Sequence, residues 1–433
     1  MCNSLYQHLR RDVFLRSFLD NINLLLFIFF TVLYSYQLIY VFVSLLGKKK
    51  AFTAKKEHKF AVIIAARNER VVIAQLIESI KKQRYPSELC DIYVIADNCT
   101  DDTAEIARAA GATVFCRDNK RLVGKGYALN FGFKKLVEAG SFSDYDGFFV
   151  FDADNLLDEN YIAEMNKVFD SGYRIVTSYR NSKNYDTNWI SAGSSLWFLR
   201  EAKYINASRM ILNSSCAVSG TGFLVSREII ENNRGWQYYL LTEDIEFSID
   251  SVIKNEKIGY AENAMLYDEQ PYTFRESWNQ RIRWAKGFFQ VFAAYGGKLF
   301  RAIFKNRSFA AYDMLMTIMP AMTITLIGAI INSSFLIYAL LNLPSAKMLA
   351  LTAGIALFMT FFNFYVVLFF FGAITTVTEW HKINSSTGRK ILYMFTFPLF
   401  IFTYIPISIV AIFKKIEWKP IHHSIAKNIE EFQ

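Results

Sequence analysis

Long apolar runs without a single Asp, Glu, Lys or Arg divide this chain into membrane-type and soluble-type regions. A helix needs about 20 residues to cross a hydrocarbon core about 30 Å thick, and each run is longer than that. A buried helix of a large soluble core is the alternative, but interior helices rarely extend so far without a charge. The runs are Asn21–Gly47, Met314–Ala346, Met348–Thr378 and Ile391–Phe413.

Charges beside these runs indicate how the chain meets the membrane. Lys48–Lys50 follow the first run, which is typical of a retained anchor whose basic end faces the cytoplasm. Residues 1–20 and 287–309 mix large apolar residues with Arg or Lys, which predicts an interfacial helix in each. We therefore expect a transmembrane helix at 21–47, membrane helices at 310–413 and a basic tail at 414–433.

The last apolar run leaves its own topology open. If every run crossed once and the soluble region lay in the cytoplasm, both chain ends would lie outside. The residues that follow the run instead favour an inner C-terminal end: Lys414, Lys415, Lys419, His422 and His423. Pro398 and Pro406 interrupt the run, so a broken or re-entrant segment is the alternative.

Between residues 55 and 286, apolar strands alternate with amphipathic helices, which predicts a parallel sheet covered on both faces. Polar clusters follow three of these strands, at Arg67–Glu69, Asp97–Asp102 and Asp152–Asp154. Because ligands bind beyond the carboxyl ends of parallel strands, we expect the clusters to meet at one site. The predicted strands are Phe60–Ala66, Asp91–Ala96, Thr113–Cys116 and Gly147–Phe151.

Carboxylates in these clusters have the spacing of a cation and nucleotide site. Asp152 and Asp154 lie one residue apart after a buried strand, so they can hold a hard divalent cation that bridges phosphate oxygens. Solvated loop acids are the alternative for such a pair. Asp97 either accepts from a ribose hydroxyl or a base edge, or caps the helix that follows it.

A third acidic motif, Thr242-Glu243-Asp244, begins an apparent helix at Ile245–Ile253. A carboxylate at this position can remove a proton from an attacking hydroxyl, which is typically worth about 10²–10⁴ in rate. The alternative is a capping arrangement, in which Thr242 starts the helix and the acids favour its positive end.

Gln280, Arg283 and Trp284 are spaced to share one helix face. The forked donors of Arg suit phosphate oxygens, and Trp offers a flat surface on which a sugar ring can stack. An amphipathic helix at the membrane surface is the alternative, because Trp and Arg are common there.

Composition narrows the class of partner. The net charge of +9 gathers beside the apolar runs, and no basic recognition motif accompanies it. We therefore expect contact with membrane lipid and no nucleic-acid partner. The chain has five cysteines without metal-type spacing, which indicates reduced thiols rather than a disulfide framework.

The order of the motifs resembles the family-2 glycosyltransferases with a GT-A fold. Among these the chain is most similar to the membrane-integrated synthases of cellulose, chitin, hyaluronan and poly-N-acetylglucosamine. The fold that this implies is an α/β GT-A domain at 55–286, inserted between transmembrane helices. The motifs are Ala65-Ala66-Arg67-Asn68-Glu69, Asp97-Asn98, Gly124-Lys125-Gly126, Asp152-Ala153-Asp154, Ser219-Gly220-Thr221-Gly222, Thr242-Glu243-Asp244 and Gln280-x-x-Arg283-Trp284.

The resemblance also implies a role for each candidate residue. Asp244 would be the catalytic base of an inverting displacement. Asp152 and Asp154 would serve Mn²⁺ or Mg²⁺, with Asp154 as the direct ligand. The donor would be a UDP-sugar, contacted by Glu69, Asp97, Lys125, Asp152 and Arg283. The acceptor would be contacted by Gly220, Thr221, Glu243, Gln280 and Trp284.

The leading interpretation is a processive synthase that extends a β-linked polysaccharide and exports it through its own helices. The alternative is transfer of one sugar to a membrane lipid, as ceramide glucosyltransferases do with similar motifs. A transporter or channel would need polar or ionisable groups inside its helices, and the uncharged runs disfavour it. Neither the acceptor nor an oligomeric state follows from these motifs.

Overall fold

The computed structural model describes residues 2–319, 321–342, 346–416 and 423–432. Lys419 and His422, which favour an inner C-terminal end, lie outside these ranges. The centre is an eight-stranded sheet with the order β3-β2-β1-β4-β7-β6-β8-β5. The strands are β1 (Phe60–Ala66), β2 (Cys90–Asp97), β3 (Thr113–Arg117), β4 (Gly147–Asp152), β5 (Leu156–Leu157), β6 (Ile175–Ser182), β7 (Phe223–Ser226) and β8 (Ile258–Asp268).

The first half of the sheet follows the prediction from the sequence. β1 lies between β2 and β4, all three are parallel, and Ala65 stands opposite both Ile95 and Asp152. β3 extends the parallel half beside β2. The carboxyl ends of these strands therefore share one edge of the sheet, which carries Asp97 and Asp152.

The second half corrects the expectation of a wholly parallel sheet. β7 runs antiparallel to both β4 and β6, while β8 is parallel to β6. Polar side chains such as Ser178 and Asn181 are buried along β6. The sequence of β6 therefore lacks the continuous apolar run that is typical of a buried strand. None of the strands β5 to β8 was predicted from the sequence.

Helices cover both faces of the sheet. On one face the rings of Phe133 and Phe148 lie 5.1 Å apart, and on the other Leu76 and Met165 are fully buried. The helices of the soluble region are α3 (Ile73–Lys81), α4 (Thr103–Ala109), α5 (Lys125–Glu138), α6 (Tyr161–Asp170), α7 (Trp189–Arg200), α8 (Ala207–Ile211), α9 (Arg227–Asn232) and α10 (Glu243–Ile253). A π-helical turn, Glu201–Asn206, joins α7 to α8.

The remaining helices are α11 (Phe274–Lys305) and those that include the apolar runs. The latter are α1 (Cys2–Tyr34), α2 (Tyr36–Leu46), α12 (Phe309–Ile318), α13 (Ala321–Leu341), α14 (Lys347–Thr378), α15 (Thr387–Phe402) and α16 (Tyr404–Phe413). Within the described residues, three stretches are long and apolar enough to cross a membrane: Arg10–Leu46, Lys347–Thr378 and Thr387–Phe413. The run at 314–346 forms two helices rather than one, because Met319 is extended before Pro320.

The last apolar segment, α15–α16, runs alongside the sheet domain. Near its start, Arg389 forms an ion pair with Asp186. Near its middle, Arg281 of α11 donates to the Thr403 hydroxyl. Near its end, Lys286 of α11 donates to a backbone carbonyl of α16 at 3.3 Å. The segment therefore contacts the sheet domain or α11 along its whole length.

The C-terminal segment 423–432 returns to the edge of the sheet. The backbone N–H of Ser424 donates to the Glu269 carboxylate at 3.1 Å. The ring of Phe432 stacks on Tyr267 of β8, with 4.6 Å between the centroids. Residues 423–432 therefore pack against the sheet domain.

Candidate active site

The edge where the parallel strands end separates the two carboxylates of the Asp-Ala-Asp motif. Asp154 is only 4% exposed, and its carboxylate accepts from the backbone N–H of Glu269 at 2.8 Å. Burial acts to raise the pKa of Asp154, but the neighbouring charges of His423 and Lys183 bring it below its usual value. Asp152, by contrast, points towards α5.

Lys125 connects Asp152 with the turn at 219–222. Its Nζ donates to Asp152 Oδ1 at 2.5 Å and to the Gly220 carbonyl at 2.8 Å. Lys125 is the first residue of α5, directly after Gly124. The ammonium group therefore stands between the carboxylates and the turn, where it can meet the negative charge of a phosphate.

The turn itself depends on glycine. Gly220 has φ +79° and Gly222 has φ +67°, in the left-handed region that glycine enters without strain. A Cβ on Gly222 would lie 1.9 Å from the side chain of Leu266. The Thr221 hydroxyl accepts from the backbone N–H at the end of β4 at 2.8 Å, which joins the turn to the sheet.

Asp244 lies directly against this turn. Its Oδ2 accepts from the backbone N–H of Gly220 at 2.6 Å. Burial raises the pKa of Asp244, while burial and the charge of Asp244 raise the pKa of Glu243 to about 8. The two carboxyls interact, so their titration belongs to the pair. A carboxylate with a raised pKa is a stronger base near neutral pH.

Thr242 does not cap α10, so that part of the capping interpretation is wrong. It precedes the helix without a side-chain hydrogen bond to it, and its hydroxyl is buried with no hydrogen-bond partner among the described residues. The side chain instead packs on α11, where a Cβ on Gly287 would lie 2.5 Å from Thr242 Cγ2. The first turn of α10 still favours its acidic residues through the helix dipole.

The face of α11 with Gln280, Arg283 and Trp284 lies beside the carboxylates of the site, since the charges of Glu243, Asp152 and Asp244 all act on Arg283. Partial burial lowers the pKa of Arg283, and the negative charge of an ionised Glu243 acts most strongly in the opposite direction. Trp284 meets Phe198 of α7 edge-on, with 5.9 Å between the ring centroids. The Gln280 amide oxygen is buried on the same face.

Asp97 and Glu69 follow neighbouring strands, as predicted. Asp97 is 4% exposed and accepts from Arg117 at the end of β3 at 2.5 Å, so it is engaged by Arg117 rather than by capping α4. The backbone N–H of Glu69 donates to Thr103 Oγ at 2.8 Å. Burial raises the pKa of both carboxyls.

His423 lies beside two candidate carboxylates, whereas its sequence context indicated only a basic tail. Its Nδ1 lies 2.9 Å from Glu69 Oε2, and its Nε2 lies 4.0 Å from Asp154 Oδ2. Burial acts to lower its pKa, but these carboxylates raise it to about 10. His423 is 354 residues away from Glu69 along the chain, and the only signal was a basic tail.

Asp154 suits a divalent ion that phosphate helps to hold, and His423 could add a nitrogen ligand once such an ion displaces its proton. Carboxylate oxygen and imidazole nitrogen are both ligands that Mn²⁺ accepts, and Mg²⁺ commonly takes one or two carboxylates together with substrate phosphates. In the described ranges, no group of three His, Cys, Asp or Glu residues is spaced to hold a metal by itself. The residues therefore fit a cation shared with a nucleotide.

Two sets of direct contacts connect several of the candidate residues. Direct hydrogen bonds link Asp152, Lys125, Gly220 and Asp244. The contacts of His423 link Glu69 and Asp154. Asp97 belongs to neither set, because Arg117 holds it at the neighbouring strand.

Comparison with known proteins agrees with this geometry. A model of the family described as "Glycosyltransferase like family 2" matches residues 58–287, more than half of the chain. The solved structure of a mannosyltransferase from Pyrobaculum calidifontis, in complex with GDP-Man and Mn²⁺, superposes with a TM-score of 0.50 at 17% identity. The match covers 78% of this chain and 99% of that structure, which establishes a shared GT-A fold.

Curated relatives match a similar region. The probable glycosyltransferase YdaM of Bacillus subtilis is 27% identical over 61% of this chain. A beta-monoglucosyldiacylglycerol synthase of Synechocystis is 26% identical over 54%, and a poly-beta-1,6-N-acetyl-D-glucosamine synthase of Staphylococcus aureus is 24% identical over 62%. The matches span 63%, 48% and 63% of the lengths of these relatives, respectively.

Proposed function

This chain belongs to glycosyltransferase family 2, and we propose that it transfers a sugar from a UDP-sugar to an acceptor hydroxyl with inversion. The observation that carries the proposal is the 2.6 Å hydrogen bond from the Gly220 N–H to Asp244 Oδ2. It holds a half-buried carboxylate beside the turn whose Gly220 carbonyl accepts from Lys125. A base and a cation for the leaving group thus stand in one cluster.

In the proposed reaction, Asp244 takes the proton of the acceptor hydroxyl while the hydroxyl oxygen attacks the anomeric carbon. The bond from that carbon to the diphosphate oxygen breaks, and the leaving diphosphate keeps both electrons. Lys125 and Arg283 would offset its charge. A divalent ion at Asp154 and His423 would add to that neutralisation when bound. Attack opposite the leaving group turns an α-linked donor into a β-linked product.

We propose a growing β-linked polysaccharide, exported as it is extended, as the first candidate product. The similarity to the poly-N-acetylglucosamine synthase supports it. The similarity to the glucosyldiacylglycerol synthase supports a second candidate, transfer of one sugar to a membrane lipid. Both reactions need the same base and the same leaving group, so only the product separates them.

The test is an assay of the full chain purified in detergent with lipid. UDP-glucose, UDP-N-acetylglucosamine and UDP-glucuronate are each supplied with Mn²⁺, and UDP release is followed. A product that grows in size and yields to a β-specific glycosidase supports the polysaccharide. A solvent-extractable lipid carrying one sugar supports the second candidate. No UDP release from any donor above a boiled sample would refute the proposed transferase.

We further propose that the catalytic domain lies at the cytoplasmic face, with crossings at α1–α2, α13 and α14. The basic residues Lys48–Lys50 support this side. The contacts along α15–α16 support a segment that lies at the membrane surface without crossing, and α11 fits the same surface.

Cysteine labelling tests this placement in a cysteine-free background. Lys298→Cys on α11 should react with an impermeant maleimide only after the cells are permeabilised. Asn342→Cys, just after α13, is the control and should react in intact cells. Both positions are exposed in the structure. Labelling of Lys298→Cys from outside would overturn the cytoplasmic assignment.

A further inference from the structure

The turn that holds Asp244 rests on two charged side chains that no motif singled out. The Ser219 hydroxyl donates to Glu201 Oε2 at 3.3 Å, and Arg180 Nη1 donates to the Ser219 carbonyl at 2.9 Å. Glu201 opens the π-helical turn between α7 and α8. Such turns are rare and occur frequently at functional sites.

Arg180 is itself held in place, so the support below the turn is rigid. Its Nε donates to Asp268 Oδ2 at 2.7 Å, and its guanidinium lies 3.6 Å from the centre of the Phe198 ring. Ser219 therefore has both its hydroxyl and its carbonyl fixed. The next N–H in the chain is that of Gly220, which donates to Asp244.

Glu201 faces Ser219 in a partly open pocket that Arg180, Phe198 and Thr221 also line. Burial raises the pKa of Glu201, and Arg209 and Arg180 act in the opposite direction.

We propose that Glu201 is a positioning residue for the catalytic base, acting through Ser219. By accepting from the Ser219 hydroxyl, Glu201 sets the orientation of the Ser219–Gly220 peptide. That peptide aims its N–H at Asp244 Oδ2 and so keeps the carboxylate on the acceptor side. The inference rests on the proposed role of Asp244 in sugar transfer.

Two substitutions separate hydrogen bonding from packing. Glu201→Met removes the acceptor at similar size and should lower kcat about tenfold, because misplacement of a catalytic group by about 1 Å can reduce rate up to about 10²-fold. Glu201→Gln keeps an acceptor oxygen and should restore kcat to within about threefold of wild type. KM for the donor and Kd for UDP with Mn²⁺ should change less than about twofold in both variants.

A double-mutant cycle then tests the route through Ser219. Ser219→Ala should reduce kcat as much as Glu201→Met does, because each removes the same hydrogen bond. The double variant should lose about tenfold and not the about 100-fold that independent effects would give. Multiplicative losses would overturn the route through Ser219.

A matched control is Glu256→Met. Glu256 precedes β8 and lies near the start of β6, whereas Arg180 lies near its end. Glu256 pairs with Arg174 and should leave kcat within about twofold of wild type. Near-normal kcat in Glu201→Met would refute the positioning role, as would loss of UDP binding together with kcat. The donor is whichever UDP-sugar the wild-type protein turns over. An inactive wild-type protein refutes the proposed function, whereas an active wild type with an insensitive Glu201→Met refutes this inference alone.

Discussion

Replacing Asp244 with asparagine is the most direct perturbation of the proposed chemistry. The side chain keeps its shape, and its amide oxygen can still accept from the Gly220 N–H, as Asp244 Oδ2 does at 2.6 Å. What the substitution removes is the second oxygen, which would take the acceptor proton. Asp244→Asn should therefore preserve the turn while abolishing the base.

The expected loss of kcat is that of a general base alone, because the substitution leaves the turn intact. Loss of a general base typically costs about 10²–10⁴ in rate, so kcat should fall at least about 100-fold, or about 2.7 kcal/mol in the barrier. Lys125 and Arg283 are unchanged, so UDP should bind within about threefold of wild type. Asp154→Ala should instead weaken UDP binding in the presence of Mn²⁺, because the proposed ion loses its carboxylate.

Steady-state UDP release and calorimetry of UDP binding give the two readouts. Asp250→Asn is the control on the same helix. Asp250 lies away from the turn, where it accepts a 2.7 Å hydrogen bond from the Tyr238 hydroxyl. It should keep kcat within about twofold. The assignment of the base is wrong if Asp244→Asn retains near-normal kcat, or if it loses UDP binding as severely as Asp154→Ala.

Further variants test the surroundings of the base. His423→Ala should weaken UDP binding with Mn²⁺ by about tenfold in calorimetry, and an unchanged Kd would exclude the tail from the site. Burial and the charge of Asp244 raise the pKa of Glu243 to about 8, so Glu243 is protonated and uncharged at neutral pH; Glu243→Gln should therefore leave the acid-side fall of kcat unmoved, and a shifted profile contradicts this assignment of the charge to Asp244. Excess EDTA should abolish UDP release and Mn²⁺ should restore it, whereas full activity in EDTA removes the metal role. Arg209→Met leaves the buried Asp313 carboxylate without its ion pair and should destabilise the protein by about 3–5 kcal/mol, seen as a lower Tm in detergent that Arg209→Met with Asp313→Leu largely recovers.

The site positions that sequence could predict are those set by local pattern. The bounds of β1 were predicted residue for residue, and the polar residues after β1, β2 and β4 do lie at one edge of the sheet. Apolar runs followed by acids carry this information because a parallel strand must end before its ligand crevice begins. The sequence pattern therefore predicted where Asp152 and Asp154 lie in the fold. It did not predict that their carboxylates contact different partners.

The positions that sequence could not predict depend on distant contacts. His423 reaches Glu69 across 354 residues, and no local spacing reports such a meeting. β6 contains the buried polar residues Ser178 and Asn181, so its sequence did not have the apolar pattern that predicts a strand inside a sheet. The sequence suggested Thr242 as a cap because it shows a threonine at a helix start. It does not show that α11 packs against the Thr242 side chain.

The segment from Glu201 to Arg209 joins the site to the membrane helices. At one end Glu201 accepts from Ser219 of the acceptor turn. At the other, Arg209 is paired with Asp313 of α12 at 2.7 Å, and the Ser44 hydroxyl of α2 donates to a backbone carbonyl within the π-helical turn at 2.5 Å. Because one short stretch makes all these contacts, it connects the turn beside Asp244 with α2 and α12. Under the proposed function, this connection would fix the base relative to a lipid or polymer acceptor held by the apolar helices.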